Sequence, residues 1–136
     1  KNIMSKEIVL DDYAFLVSET DEKGIIVFAN DDFCKIAGYG IDELIGKPHN
    51  TVRHPDMPKA AFKDLWETVK KGGIWTGYVK NATKDGDYYW VFATVYPTIT
   101  SEGTKGYLSC RRKASAEEIQ AHENLYKQLR MSEKAA

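Results

Sequence analysis

Residues 48–58 hold an unusual density of side chains that can bind a ligand. Three prolines in this segment fix φ and remove backbone donors, so we predict a stiff, shaped loop rather than a core element. Between the prolines, the loop presents imidazole, amide and guanidinium groups in a fixed array: His49, Asn50, Arg53 and His54. Such an array suits an anionic or heteroaromatic ligand, because these groups donate both charged and neutral hydrogen bonds.

The same loop allows structural interpretations. Arg53 and Asp56 can form a local ion pair that braces the loop, and this is compatible with binding if Asp56 orients Arg53. His54, beside Pro55, can cap a helix end. A metal site is a poor fit, because His49 and His54 are five residues apart and no cysteine or carboxylate pattern completes a ligand set.

The bulk composition excludes several classes of function. The net charge of −1 gives no support for nucleic-acid binding, which needs a basic face. No apolar run approaches the roughly 20 residues that a membrane-spanning helix needs, and no signal-peptide pattern is present. Cys34 and Cys110 form no CxxC pair, so we expect buried or free thiols in a reducing cytoplasm. The sequence contains no catalytic motif, so we expect no enzymatic activity.

The elements before the loop are short. Apolar runs at residues 14–18 and 24–29 flank a polar turn, which predicts a β-hairpin. An Asn-Asp pair at 30–31 caps a short helix that Gly38 ends. Residues 41–45 form at most one or two further turns of helix.

A longer helix follows the loop, with a cap at residue 56 or 57 and an apolar stripe that ends before Gly72. Three strands come next, at residues 74–80, 87–96 and 107–112, the second of them closed by Pro97. Ser115 and Glu118 have the spacing of a capping box, which opens a final helix. Both faces of the second strand are apolar, so we expect one to face a ligand slot and the other to meet the terminal helix or a partner.

This order predicts an α+β fold. One five-stranded antiparallel sheet carries short helices over one face and is followed by a C-terminal helix. We expect a sensor domain over residues 1–114 and a signalling or linker helix over residues 115–136. Short, loop-rich covering helices can leave a slot against the sheet, where small ligands bind.

Several motifs resemble the PAS domain family. Residues 28–33 and 37–39, which read FANDDF and AGY, resemble the PAS signature. Residues 46–62 closely resemble the FAD-binding PAS domains of Aer-type aerotaxis receptors, and they read GKPHNTVRHPDMPKAAF. The shorter runs WTG, VKN and YWV, at residues 75–77, 79–81 and 89–91, resemble the same family.

The resemblance implies a non-covalently bound FAD. The family residues tied to flavin binding fall here on Arg53, His54, Asp56, Trp75 and Asn81. Trp75 can stack on the isoalloxazine, Asn81 or Asn50 can bond its polar edge, and Arg53 can bind the pyrophosphate with donors from His49 and His54. Trp75 can also be ordinary core packing, and Asn81 a strand-end or turn residue.

The resemblance further implies a cytoplasmic redox or oxygen sensor with output to a chemotaxis receptor. The expected partner is a HAMP or methyl-accepting chemotaxis signalling domain, on the same chain or another, and a homodimer is a further expectation. Ala82 and Phe92 depart from the family pattern, where we expect basic or polar residues. Phe92 favours the alternative of a cofactor-free PAS interaction module. A haem-binding PAS sensor is the other alternative, since one axial histidine suffices.

Overall fold

The computed structural model describes residues 5–135 of the chain. The first four residues of the predicted sensor domain and the last residue of the predicted signalling helix lie outside this range. In chain order, the elements are β1 (Leu16–Asp21), β2 (Ile26–Ala29), α1 (Asp31–Ala37), α2 (Ile41–Leu44), a 3₁₀ turn (His49–Val52), α3 (Lys59–Lys70), β3 (Trp75–Ala82), β4 (Tyr88–Ile99), β5 (Lys105–Lys113) and α4 (Ala116–Ala135).

The five strands form one antiparallel sheet in the order β2-β1-β5-β4-β3. This confirms the predicted α+β architecture of a five-stranded sheet with short helices and a C-terminal helix. The N-terminal hairpin and the three C-terminal strands join because β1 pairs with β5. None of the helices within residues 5–135 is both long and apolar enough to cross a lipid bilayer.

The inner face of the sheet carries the core and packs against the short helices. The register pairs Val79 with Val91 and Asn81 with Tyr89, so these four side chains share this face. Phe33 of α1 is fully buried within the same core. Burying an apolar side chain of this size stabilises the fold by about 1.5–3 kcal/mol.

The outer face of β3 and β4 is covered by α4, as the apolar pattern predicts. Tyr126 of α4 stacks on Trp90 with ring centroids 6.0 Å apart, and its hydroxyl donates to the carbonyl of Tyr78. The predicted capping box is confirmed, because the Ser115 hydroxyl accepts from the Glu118 N–H and the Glu118 carboxylate accepts from the Ser115 N–H, both at 3.1 Å.

We predicted that Pro97 closes β4, and this is wrong, because the strand continues to Ile99. Val95 of β4 pairs with Trp75, the first residue of β3, so Pro97 lies past the last residue of β4 that pairs with β3. At this position β4 has only β5 as a partner, and the missing proline N–H interrupts no ladder with β3.

The N-terminus of α3 is capped by a distant part of the chain. Our prediction of a cap at residue 56 or 57 is wrong, because α3 begins after Pro58, which has no capping side chain. The Glu133 carboxylate of α4 instead accepts hydrogen bonds from the N–H groups of Lys59 and Ala60, at 3.1 and 2.9 Å. This carboxylate also lies at the positive end of the α3 dipole.

Glu133→Ala is expected to lower the free energy of unfolding by about 1 kcal/mol, the typical contribution of a helix cap. Urea unfolding followed by circular dichroism measures the change. Glu102→Ala, on the exposed turn between β4 and β5, is the matched control and is expected to change stability by less than about 0.5 kcal/mol. Equal losses in both variants would contradict the capping role.

Candidate functional site

A cavity of about 240 Å³ lies between α3, the loop of residues 48–58, here called the proline loop, and the inner face of the sheet. Its apolar wall includes Phe62 and Leu65 from α3, with Val79 and Val95 from the strands. Polar side chains from the loop and from β1, β3 and β5 complete the lining. An apolar slot with a few convergent polar groups is the usual composition of a small-molecule site.

The proline loop forms one wall because its backbone pairs with the edge of the sheet. Arg53 forms an antiparallel bridge with Asn81 of β3, and the His54 N–H donates to the Lys80 carbonyl at 3.4 Å. Five of the predicted ligand-binding residues therefore line the cavity: His49, Asn50, Arg53, Trp75 and Asn81.

The other two predicted residues, His54 and Asp56, lie outside the cavity wall. His54 Nδ1 accepts a hydrogen bond from the Asp56 N–H at 2.9 Å, and the Asp56 carboxylate pairs with Lys80 at 2.9 Å. Burial alone would raise the pKa of Asp56, but the hydrogen bond and charge of Lys80, with smaller effects of His54 and Arg130, together hold this pKa below its ordinary value. The cation that pairs with Asp56 is thus Lys80, so the alternative of an Arg53–Asp56 ion pair is wrong.

Trp75 is held at two points. Its Nε1–H donates to the Asp64 carboxylate of α3 at 2.8 Å, and its six-membered ring lies against the backbone of Gly77. The residue is only 7% exposed, yet it also lines the cavity. Trp75 therefore packs in the core and also contributes to the cavity wall.

Gly77→Ala is expected to displace the Trp75 ring, because the added Cβ would lie 2.5 Å from two of its carbon atoms. Overpacking of this kind costs about 1–3 kcal/mol of stability. Near-ultraviolet circular dichroism reports the ring, and urea unfolding reports the stability. In the control Gly40→Ala, the nearest atom is a Glu43 carboxylate oxygen at 3.7 Å, so we expect a loss below about 1 kcal/mol. An unchanged near-ultraviolet spectrum of Gly77→Ala would contradict this packing.

Asn81 brings a carboxamide to the cavity wall, where it is 3% exposed. Its Nδ2 donates to the Tyr89 hydroxyl at 3.5 Å. Burial raises the pKa of Tyr89 to about 12, so the phenol stays neutral. A carboxamide both donates and accepts, so Asn81 can bond a ligand edge that carries N–H and carbonyl groups.

Arg53 places a cation at the cavity. Its guanidinium lies over the Phe62 ring, 3.7 Å from the ring centroid, and no carboxylate within residues 5–135 forms an ion pair with it. Partial burial of the guanidinium lowers the pKa of Arg53 from its ordinary value, but an arginine remains charged at neutral pH. This charge is therefore available to an anionic group.

Sequence reasoning missed Arg111 of β5, a buried cation that also lines the cavity. Its guanidinium donates to the Leu16 carbonyl at 3.4 Å and to the Ser18 hydroxyl at 2.8 Å, and it lies 2.7 Å from His49 Nε2. One signal was present in the sequence: strand alternation turns one of the adjacent Arg111 and Arg112 toward the interior.

The contact with Arg111 determines the protonation state and the tautomer of His49. A guanidinium can only donate, so Nε2 is the acceptor and the imidazole is neutral with its proton on Nδ1. Burial and the charges of Arg111 and Arg53 lower the pKa of His49 to about 3. The Ser18–His49 contact of 3.0 Å is therefore no nucleophile–base pair, because such a base needs a pKa near the working pH. Within residues 5–135, no group of three His, Cys, Asp or Glu residues could hold a metal ion.

Comparison with known proteins places this geometry in a family. The family model described as PAS fold matches residues 26–111. The aerotaxis receptor of Escherichia coli (strain K12) is 52% identical over 120 residues, which cover 88% of this chain and 24% of that protein. The nitrogen fixation regulatory protein of Klebsiella oxytoca is 27% identical over 100 residues, or 73% of this chain and 20% of that protein. The chain thus spans only about a quarter or less of the length of these relatives.

The likeness extends to the backbone. A light-oxygen-voltage domain, from a study of its mechanism with a flavin analogue, superposes with a TM-score of 0.66 at 23% identity, over 84% of this chain and 86% of that one. At this identity the likeness concerns the fold alone. Because the family model matches well over half of the sequence and the fold superposes, the chain belongs to the PAS family.

Proposed function

We propose that this chain is a cytoplasmic PAS sensory domain that binds FAD non-covalently, senses redox or oxygen state, and signals to a chemotaxis receptor output. One observation carries the proposal: the proline loop is seated on β3, which brings Arg53, Trp75 and Asn81 to one apolar cavity. The 52% identity to an aerotaxis receptor supports it.

The residues of the cavity fit a flavin. The lining is apolar along α3 and the strands, as an isoalloxazine requires. Gly77 has no side chain and so leaves room for the Trp75 ring beside the cavity. Thr20 lines the cavity, and its buried Oγ1 has no hydrogen-bond partner among residues 5–135. Buried polar atoms are normally satisfied, and the carbonyl and N–H groups of a heteroaromatic ligand would satisfy this one.

In this proposal, a bound flavin supplies reversible electron transfer, which no side chain of the site provides. Trp75 would stack on the ring system, Asn81 or Asn50 would bond its polar edge, and Arg53 would bind the pyrophosphate. His49 would keep its neutral form and donate through Nδ1. His54 and Asp56 would act indirectly, because they hold the loop against β3 through Lys80.

The signal would be transmitted to the output domain through α4, which contacts the proline loop at Asp56. Arg130 donates to the Asp56 carbonyl, Glu133 caps α3, and Lys80 lies 3.8 Å from Glu123. A change in the loop would thus alter the docking of residues 115–136, the proposed signalling helix, against the sensor domain of residues 1–114. The partner would be a HAMP or methyl-accepting chemotaxis domain in cis or in trans, with a homodimer as a further proposal.

An absorption spectrum of the native protein tests the cofactor, and chromatography of the released chromophore separates FAD from FMN and riboflavin. We expect flavin bands and FAD. Protein that carries no flavin, even after refolding with FAD, would overturn the proposal. A Soret band would indicate haem, although His49, which lines the cavity, directs Nε2 at the Arg111 cation and is poorly placed as an axial ligand.

The alternative of a cofactor-free interaction module rests on Phe92, whose ring lies 5.0 Å from that of Tyr78 on the outer face of the sheet. Phe92→Arg separates the two proposals. If the outer face is the function, this variant loses association with its partner domain, and the wild type carries no flavin. If the cavity is the function, Phe92→Arg retains its full flavin content.

A further inference from the structure

Arg111 is a buried charge without an acidic partner. It is 4% exposed, and no carboxylate within residues 5–135 forms an ion pair with it. Its acceptors are the neutral Leu16 carbonyl, Ser18 hydroxyl and His49 imidazole, and the Phe33 ring lies 4.8 Å away. A guanidinium has five N–H donors, so these contacts leave part of its capacity unused.

An unpaired buried charge is costly, because its desolvation is not offset by an opposite charge. Arg111 is part of the cavity lining, so a ligand bound there would lie beside this charge. Thr20, on the neighbouring strand β1, lines the same cavity, and its buried hydroxyl has no hydrogen-bond partner among residues 5–135. Two residues with buried polar groups thus line the ligand space, and each has hydrogen-bonding capacity that residues 5–135 do not satisfy.

We propose that Arg111 and Thr20 form a charge-selective subsite that contacts the polar edge of the bound flavin and favours its reduced, more negative state over its oxidised state. This inference rests on the proposed function and deepens it. Two-electron reduction of a flavin at neutral pH takes up two electrons and one proton, so the ring system gains one negative charge. A positive charge held nearby binds this form more tightly than the neutral oxidised form. Arg111 would therefore raise the midpoint potential at which the sensor responds.

A purely structural role for Arg111 makes a different prediction. The guanidinium links β1 to β5 through Leu16 and Ser18, so its loss could simply weaken the sheet. Weakening the sheet lowers the free energy of unfolding, but it gives no reason for the relative affinity of oxidised and reduced flavin to change. The midpoint potential distinguishes the two roles.

The test measures the midpoint potential of the flavin-loaded protein during titration with dithionite, which supplies the electrons. Arg111→Met is expected to lower the preference for the reduced form at least tenfold, or about 30 mV for a two-electron couple. Arg111→Lys retains the charge and is expected to stay within threefold of the wild type. Arg112→Met is the matched control, since Arg112 is exposed on the opposite face over Phe92, and we expect no change. A folded Arg111→Met flavoprotein within threefold of the wild type overturns the inference.

Thr20→Val keeps the inference testable if Arg111→Met does not fold. Removing an unsatisfied buried hydroxyl is expected to leave the melting temperature of the flavin-free protein unchanged or higher. The same variant is expected to bind FAD at least threefold more weakly in a fluorescence titration, and an unchanged dissociation constant overturns the subsite. Absence of flavin from the wild type overturns the proposed function itself, whereas unchanged variants of a flavin-binding wild type overturn only this inference.

Discussion

Replacing Arg53 by alanine is expected to weaken FAD binding roughly 10- to 150-fold, because a hydrogen bond to a charged group contributes about 1.5–3 kcal/mol. The free energy of unfolding should fall by no more than about 1 kcal/mol, the value of an exposed cation–π contact such as that of Arg53 with Phe62. The dissociation constant of FAD and urea unfolding of the flavin-free protein give the two quantities. The protein should thus keep its fold and lose its cofactor on dilution.

Two comparisons sharpen the Arg53 result. Lys47→Ala removes the same charge from an exposed position that does not line the cavity, and it is expected to leave the FAD affinity within about threefold. Riboflavin lacks the pyrophosphate, so its affinity should be unaffected by Arg53→Ala if Arg53 binds that group. Equal losses of affinity for FAD and riboflavin would mean that Arg53 contacts the ring system rather than the pyrophosphate. No loss for either ligand would mean that Arg53 does not bind the flavin.

Trp75 is a weaker test of the site than the sequence suggests. Its burial and its bond to Asp64 mean that Trp75→Ala would cost about 3–5 kcal/mol of stability as well as any ligand contact. Trp75→Phe keeps an aromatic face and loses the Nε1–Asp64 bond. Comparing the flavin content of these two variants separates stacking from structural support.

The sheet could be predicted from the sequence because its signals are local. Apolar runs between polar turns and the Ser115–Glu118 capping box each act over a few residues, and the structure has a strand or a helix start at each of them. The start of α3 could not be predicted, since its cap is Glu133, more than 70 residues further along the chain. The end of β4 was misjudged because a proline is tolerated where only one neighbouring strand remains.

The site was partly predictable for the same reason. Arg53 and Asn81 lie in motifs whose chemistry can be read from residue type, and the pairing of the loop with β3 brings them together. Asp56 was predicted among the flavin-binding residues, with an ion pair to Arg53 as the structural alternative, and the structure pairs it with Lys80 on the other side of β3. Arg111 carries no local motif, and its role depends on β1, β5 and the 3₁₀ turn meeting at one point.

The meeting of Arg111 and His49 gives the second large prediction, a loss of stability in mild acid. The pKa of His49 is about 3 in the folded protein and about 6.5 in the unfolded chain, because burial and the adjacent guanidinium oppose a second positive charge. Between these values the unfolded chain binds a proton that the folded protein does not. The stabilisation is therefore complete above about pH 6.5 and is lost progressively as the pH falls toward 3.

Between pH 7.5 and 5, this difference in pKa lowers the free energy of unfolding by about 2 kcal/mol. The ordinary titration range of carboxylates lies below this window. Urea unfolding of the wild type across this window should show the loss, and His49→Asn should remove most of it, because a carboxamide oxygen can accept from Arg111 without titrating. His54, whose pKa is lowered by burial and by Lys80, acts in the same direction, so His54→Asn is measured in parallel. Identical pH profiles for the wild type and His49→Asn would mean that His49 titrates normally, and a neutral acceptor for Arg111 could then no longer be assumed.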